Sequence, residues 1–448
     1  MSKMDGPQPE LSISARDKMS RPHLSRLFGH PTVRFLRTLQ MMSLIEIFGR
    51  ITYNTGCMRI AKAKIKVAVG VSGGVDSSVA AALLKQQGYD VFGVFMHFWS
   101  EDVCGKVRDN ICCSLEAQED ARKVCRKLGI PFYVMNFKTP FKNKIVDAFI
   151  ESYRKGETPN PCVICNKFIK FGEFLKKAKA LGADMVATGH YARLTTTKFQ
   201  NPSSLNQMLR IDSGQAKQDP TPKFQKSKTT IYRLMKSVDT KKDQTYFLHQ
   251  LNQEQLARIL FPVGKMKKDE VRELAKKFGL ITASKKESQE VCFIPSGNLE
   301  KFLEKYIPPV SGSIVEIASK KVLGRHRGLS HYTIGQRKGI GLGGGPWFVV
   351  KLDKKKNVLW VSRNSADFST KEIVVNKVHW IAGFPPEFPL TVKCRIRYGS
   401  DYQTAEISEK SNGSVLVQFK KPVRAATPGQ FCVFWKGQEC LGGGEIKK

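Results

Sequence analysis

Residues 158–171 read TPNPCVICNKFIKF, and Cys162 and Cys165 inside them have the spacing at which two thiols share one site. A C-x-x-C pair can be a redox couple, half of a zinc site, part of a cluster ligand set, or an attacking thiol with a helper. The spacing alone does not choose among them. A third thiol, Cys292, lies in SKKESQEVCFIPSG near Lys285 and Lys286. Cationic neighbours of that kind bring a thiol from about 8.5 towards 7, raising its thiolate fraction at neutral pH from a few per cent to about half. The commoner use of cysteine is as a small buried hydrophobe, which is the reading for Cys125, Cys394 and Cys432. Cys104, Cys112 and Cys113 could form a second thiol set, though their spacing demands none. The total is eleven, an odd number, with no secretory signal. That argues for a reducing compartment and for reactive or metal-bound thiols over a disulfide framework.

The second chemical feature is GVSGGVDSS (70–78). Glycines let a backbone approach a phosphate, while free N–H groups and a helix dipole favour the anion. Ser72, Ser77 and Ser78 add hydroxyl donors. Asp76 would repel phosphate unless it handled magnesium, so its presence argues for a metal-bridged nucleotide. The stretch lacks the lysine of G-x-x-x-x-G-K-[ST] and is not the kinase or GTPase type of loop.

These groups need a scaffold, and the sequence supplies one. IKVAVGV (65–71) predicts a buried strand, SSVAAALLKQQG (77–88) a helix ended by Gly88, and YDVFGVFMHF (89–98) the next strand. A helix over 114–129, a strand over 130–137, a helix through 140–155, a helix to about 181 and the strand DMVATGH (184–190) follow. Strands alternating with helices of this length predict a doubly wound parallel α/β sheet, with ligands at the carboxyl ends of its strands. Residues 195–230 lack periodicity and read as a solvated insertion. Helices resume at 253–261 and 269–279. Beyond about 310, short strands and Gly-rich turns, among them 391–398, 405–410, 414–420 and 430–436, predict a small β-barrel or sandwich. The domain boundaries expected are 1–63 for a leader, 64–298 for the α/β domain, 299–365 for a small central domain and 366–448 for the barrel.

Charge points to a partner. There are 74 Lys and Arg against 39 Asp and Glu, a net charge of +35, which suits a polyanion. In TVKCRIRY, Lys393, Arg395 and Arg397 share one strand face and Val392, Cys394, Ile396 and Tyr398 the other. A row of cations suits phosphate contacts, and six to ten of them would give a slope of log K on log salt of roughly −5 to −9. The alternative is a solvated outer face. No run of about 18 apolar residues occurs, so nothing is expected to span a membrane. Residues 1–63 carry seven arginines and three lysines against four acids, a composition like that of organelle transit peptides, mitochondrial before plastid. A plain leader is the alternative.

SGGVDSS, TPNPCVICNKFIKFGEF, ATGHYAR (187–193), KKDQTYFL (241–248), SQEVCFI (288–294) and YTIGQRKGIG (332–341) occur in this order. Together they resemble the tRNA-specific 2-thiouridylases of the PP-loop ATP pyrophosphatase group over roughly residues 65–448. The resemblance implies ATP-dependent 2-thiolation of the wobble uridine in a tRNA anticodon stem-loop, through an adenylated uridine. The implied small molecules are ATP and magnesium, and the implied protein partner is a cysteine desulfurase or sulfur-relay donor. Laid on this chain, it implies ATP contacts at Gly70, Val71, Ser72, Gly73, Gly74, Val75, Asp76, Ser77, Met96 and Gly189. It implies tRNA contacts at Asn160, Pro161, Cys162, His190, Lys242, Asp243, Gln244, Arg397, Tyr398 and Gln430. Cys165 matches the attacking cysteine and Cys292 the persulfide carrier.

The chain departs from the family at Cys162, where most members carry Asp, and that puts a carboxylate role there in doubt. Three readings stay open. Cys162, Cys165 and Cys292 could ligate three irons of a [4Fe–4S] cluster whose fourth iron holds sulfide. Cys165 and Cys292 could instead work by persulfide and disulfide chemistry, with Cys162 a spare thiol. A structural zinc site is the third. Two rival functions are a PP-loop ligase acting on a small acid, which has no use for N-P-C-x-x-C, and an inactive tRNA-binding homologue.

Overall fold

The computed structural model describes residues 64–103, 106–109, 114–199, 229–286, 291–294 and 298–447. The leader, Cys104, Cys112, Cys113 and the middle of the insertion lie outside these.

The buried run that opens the α/β region forms β1 (Lys66–Gly70). Helix α1 (Val75–Gln86) follows it, burying Val75, Val79 and Leu84. Strand β2 is Asp90–His97, and α2 (Leu115–Leu128) starts on Ser114, whose side chain accepts from the Ala117 N–H. It ends on Gly129 at φ 58°, the left-handed cap that glycine supplies at least cost. Strands β3 (Phe132–Asn136), β4 (Met185–Ala187) and β5 (Ile259–Leu260) complete a parallel sheet in the order β3-β2-β1-β4-β5. The direction of winding reverses between β1 and β4, so the crevice beyond their carboxyl ends is where a ligand belongs.

The helix expected over 140–155 begins at Lys138–Phe141, passes through a π-helical segment Lys142–Val146 and continues as Asp147–Lys155. Its inner face meets an aromatic cluster. Phe149 packs on Phe293 at 5.2 Å and Phe293 on Phe302 at 5.6 Å between ring centres. All three rings are almost fully buried, each stabilising the fold by about 1.5–3 kcal/mol. Phe302 lies on the helix Leu299–Glu304, so the start of the expected central domain packs into the catalytic core. The four-stranded sheet of the central region runs Val322–His326, Gly312–Glu316, Val358–Ser362, Phe348–Asp353.

The C-terminal region is a closed six-stranded antiparallel barrel, Ser369–Trp380 pairing with both Val415–Arg424 and Glu439–Ile446. One expectation is corrected here. Residues 195–199 and 229–230 are not loop but parts of the strands Ala192–Phe199 and Thr229–Lys236, a ribbon joined to the barrel through Leu234 opposite Cys440. Polar residues hide these strands from a periodicity reading; the barrel edge supplies the backbone partners. The fold class is thus α/β, a doubly wound parallel-sheet domain followed by a small central domain and a β-barrel. Among the described residues no helix is long and apolar enough to cross a membrane.

Candidate active site

The phosphate loop crosses from β1 to α1 at the switch point. The Ser72 N–H donates to Ser77 Oγ at 3.2 Å, and the Ser77 and Ser78 hydroxyls donate to the Gly74 carbonyl at 3.1 and 2.9 Å. Gly74 caps α1 without any side-chain hydrogen bond, leaving the first N–H groups for an anion. Gly73 takes φ +71° with the Ala117 carbonyl against it, where a Cβ does not fit. Gly70 ends β1 against Met96, whose Cε lies 2.8 Å from where a Cβ would stand. Gly189, past the end of β4, shows a reason of its own for glycine. A Cβ there would lie 2.6 Å from both the Asp76 carbonyl carbon and the Ser77 nitrogen, so the residue is small because it packs on the first turn of α1.

Asp76 is already engaged. Lys268 Nζ lies 2.7 and 2.8 Å from its two carboxylate oxygens, and the Tyr191 hydroxyl donates to Oδ1 at 2.8 Å. The loop therefore fits a nucleotide polyphosphate, with one carboxylate within reach of a magnesium ion that the phosphates would carry. Magnesium commonly uses one or two protein carboxylates and takes its other ligands from phosphate and water.

The TPNPC segment runs into helix α3 (Pro161–Cys165), with Asn160 extended and Pro161 at the first position. A π-helical stretch Asn166–Glu173 continues it. Three regions of the chain meet on Thr158. Its N–H donates to the Pro428 carbonyl at 3.0 Å, its hydroxyl pairs with that of Thr333 at 3.3 Å, and Gln430 Nε2 donates to its carbonyl at 2.7 Å. Gln430 thus fastens the segment before the cysteines to the barrel.

Cys162 and Cys165 sit one turn apart but face differently, Cys162 exposed and Cys165 buried. The Cys162 thiol is open to solvent, yet the protein mass around it raises its pKa, with Lys170 pulling the other way. Cys292 is half-buried beside Phe293 and packs on the same apolar cluster that contains Cys165. No disulfide joins Cys162, Cys165 and Cys292. The expected [4Fe–4S] site finds no support: among the described residues no three His, Cys, Asp or Glu side chains, Cys162, Cys165 and Cys292 included, come together as a metal group. The zinc reading likewise finds no support among the described residues. Lys285, expected near Cys292 as an activating cation, is paired with Asp120 at 2.6 Å.

His190 holds Thr188 Oγ1 at 2.8 Å through Nδ1 and packs on Phe171 at 5.7 Å. Burial first, and the Lys170 charge second, hold its pKa well below the usual range, so the imidazole is neutral at pH 7. Gln244 accepts from the Tyr191 N–H at 2.8 Å, fixing the residue after His190. Asp243 turns inward, accepting from the Ser237 N–H at 3.0 Å and the Thr245 hydroxyl at 2.6 Å, with 3% of its surface exposed. Its carboxylate is thus held by the protein itself, while its neighbour Lys242 keeps part of its surface. Arg397 is exposed, and Tyr398 is 41% exposed while its ring packs, tilted, against Phe247 at 4.3 Å. The expected cation row is broken up. Arg395 lies 3.9 Å over the Tyr402 ring, with Lys236 over the same ring at 3.8 Å, and Lys393 donates to Thr404 at 2.7 Å. Lys268, Tyr191 and Tyr402 carried no signal of these roles in the sequence.

A family model described as tRNA methyl transferase HUP domain matches residues 65–296, more than half of the chain. A tRNA methyl transferase PRC-barrel domain matches 300–363 and an aminomethyltransferase beta-barrel domain matches 370–446. The tRNA-specific 2-thiouridylase MnmA of Clostridium perfringens (strain 13 / Type A) is 43% identical over 387 residues, 86% of this chain and 99% of that one. The chain belongs to the tRNA-specific 2-thiouridylase family. MnmA 1 of Thermoanaerobacter pseudethanolicus is 45% identical over 386 residues, 86% of this chain and 98% of that one. MnmA of Bacillus licheniformis is 44% identical over 389 residues, 85% of this chain and 94% of that one. These thiouridylase relatives are bacterial, which overturns the organelle placement that the arginine-rich leader suggested.

Proposed function

We propose that this chain thiolates a uridine of tRNA at its 2-position at the expense of ATP, the wobble uridine of the anticodon loop being the target. The reading is supported by an uncapped phosphate loop at the switch point of the sheet and, in the same chain, a C-x-x-C helix whose leading segment Gln430 ties to the barrel. Enzymes that act on a base take it out of its stack, so the uridine is turned into the crevice. Its O2 attacks the α-phosphorus of ATP, pyrophosphate leaves, and C2 becomes electrophilic. The loop N–H groups and the Ser72 and Ser77 hydroxyls face the phosphates; magnesium, when bound, would neutralise phosphate charge beside Asp76.

The terminal sulfur of a persulfide on Cys292, loaded by a desulfurase or relay protein, then adds at C2 and AMP departs with the original oxygen. Attack of the Cys165 thiolate on the Cys292 sulfur releases the thiouridine and leaves a disulfide, which an external thiol reductant reopens. Cys162 takes no covalent part; with Asn160, Pro161 and neutral His190 it lines the approach of the base. Lys242, Gln244, Arg397 and Tyr398 are the tRNA contacts of this reading.

The test uses tRNA carrying oxygen-18 at O2 of the target uridine. Label recovered in AMP, one per thiouridine formed, is the expected result; label recovered in water would rule out the adenylate. A small-acid ligase would form AMP with no tRNA present.

A further inference from the structure

The loop GVSGGVDSS has no lysine, although a triphosphate concentrates more negative charge than backbone N–H groups neutralise. The fold brings one from 192 residues away. Lys268 is the first residue of the helix Lys268–Lys277, and its backbone N–H donates to Asp239 Oδ2 at 3.0 Å. Its ammonium lies 2.7 and 2.8 Å from the two oxygens of Asp76 and 5.7 Å from the centre of the Tyr191 ring. The Lys268 side chain is 8% exposed and that of Asp76 is 30% exposed. The pair is closed behind the lysine and open on the carboxylate side, within the first turn of α1 where an anion would settle.

We propose that Lys268 is the triphosphate-binding cation of this loop, held on Asp76 while the site lacks nucleotide. With nucleotide and a divalent cation bound, Asp76 would hold the cation and the Lys268 ammonium would turn to the phosphate oxygens. Without the metal, Asp76 keeps the lysine and repels the phosphates, so the loop prefers metal-bound nucleotide. This inference rests on the ATP reading above.

The experiment is titration calorimetry of the full chain in EDTA with α,β-methylene-ATP and, separately, AMP. Asp76→Asn should tighten the triphosphate analogue about tenfold and leave AMP within about twofold, because it frees the ammonium. Asp76→Asn/Lys268→Gln should lose that gain with AMP still unchanged. The double variant removes both charges of the pair, and Asp76→Asn keeps the ammonium against the Tyr191 ring beside the partly open position 76, so melting curves of both are recorded with the titration and folded protein is expected from each. A gain that persists in the double variant would mean relief of repulsion alone and would overturn the assignment, as would the absence of any gain. Wild-type protein that binds neither ligand, with or without magnesium, would instead overturn the ATP reading itself.

Discussion

The two parts of the proposed site are built in different ways. The nucleotide half comes from neighbouring pieces of one parallel sheet: Gly70 and Gly73 from the β1–α1 connection, Met96 from β2, and Gly189 from the end of β4 pressed on α1. The thiol half is assembled from afar. Thr158 is held by Pro428, Gln430 and Thr333, Cys165 is turned into an apolar cluster, and Cys292 follows a separate stretch of chain. A sheet edge can be rigid on its own; a helix start fastened by other regions responds to whatever moves them. In the proposed mechanism, the nucleotide step uses a preformed site, whereas sulfur transfer depends on contacts between regions.

Five variants and one pH series press on that contrast. The largest effect is expected for Cys165→Ser, which should lower thiolation by roughly a thousandfold or more and leave tRNA affinity within about threefold, since binding rests on phosphate contacts. A filter-binding titration showing lost affinity would remove Cys165 from the chemistry. Gly189→Ala should damage the nucleotide half alone. Its Cβ meets backbone at 2.6 Å, a clash costing about 1–3 kcal/mol, so ATP affinity and thermal stability fall while tRNA binding holds.

Acid should loosen the thiol half. His249, buried between Tyr246 and the barrel residue Phe431, has its pKa lowered to about 3 by burial. The unfolded chain binds that proton near pH 6.5 and the folded chain does not, so stability is intact above about 6.5 and falls as pH drops below it. From His249 alone the loss between pH 7 and pH 5 should be about 2 kcal/mol, and chemical denaturation of His249→Gln should show a flatter profile.

Gln430→Ala removes the tie to the Thr158 carbonyl and should cost about 1 kcal/mol. Thiolation should fall several-fold with ATP affinity unmoved, and equal loss of both would erase the distinction between the halves. The smallest effect belongs to Arg397→Ala, expected to weaken tRNA binding uniformly and reduce its salt slope by about 1.

The same contrast explains what could be read in advance. β1, α1 and the glycine-ended helices stand out because a buried run and a left-handed cap are local facts of sequence. Lys268 in MKKDEVREL reads as an ordinary helix start, and nothing local ties it to Asp76. Arg395 alternates correctly along its strand yet folds back on Tyr402, because alternation fixes a face and not the partner waiting there. The three cysteines stand out in the sequence as candidates for chemistry, but the opposite exposure of Cys162 and Cys165 comes from how the helix is seated.

The most direct test supplies Cys165→Ser protein with tRNA, magnesium and ATP and follows tRNA-dependent exchange of labelled pyrophosphate into ATP alongside 2-thiouridine by mass spectrometry. Exchange close to the wild-type rate with no thiouridine is the predicted result, because the nucleotide half stands complete without the thiol. Exchange lost together with thiolation would contradict the account, since adenylation would then need Cys165 and the two halves would be one site.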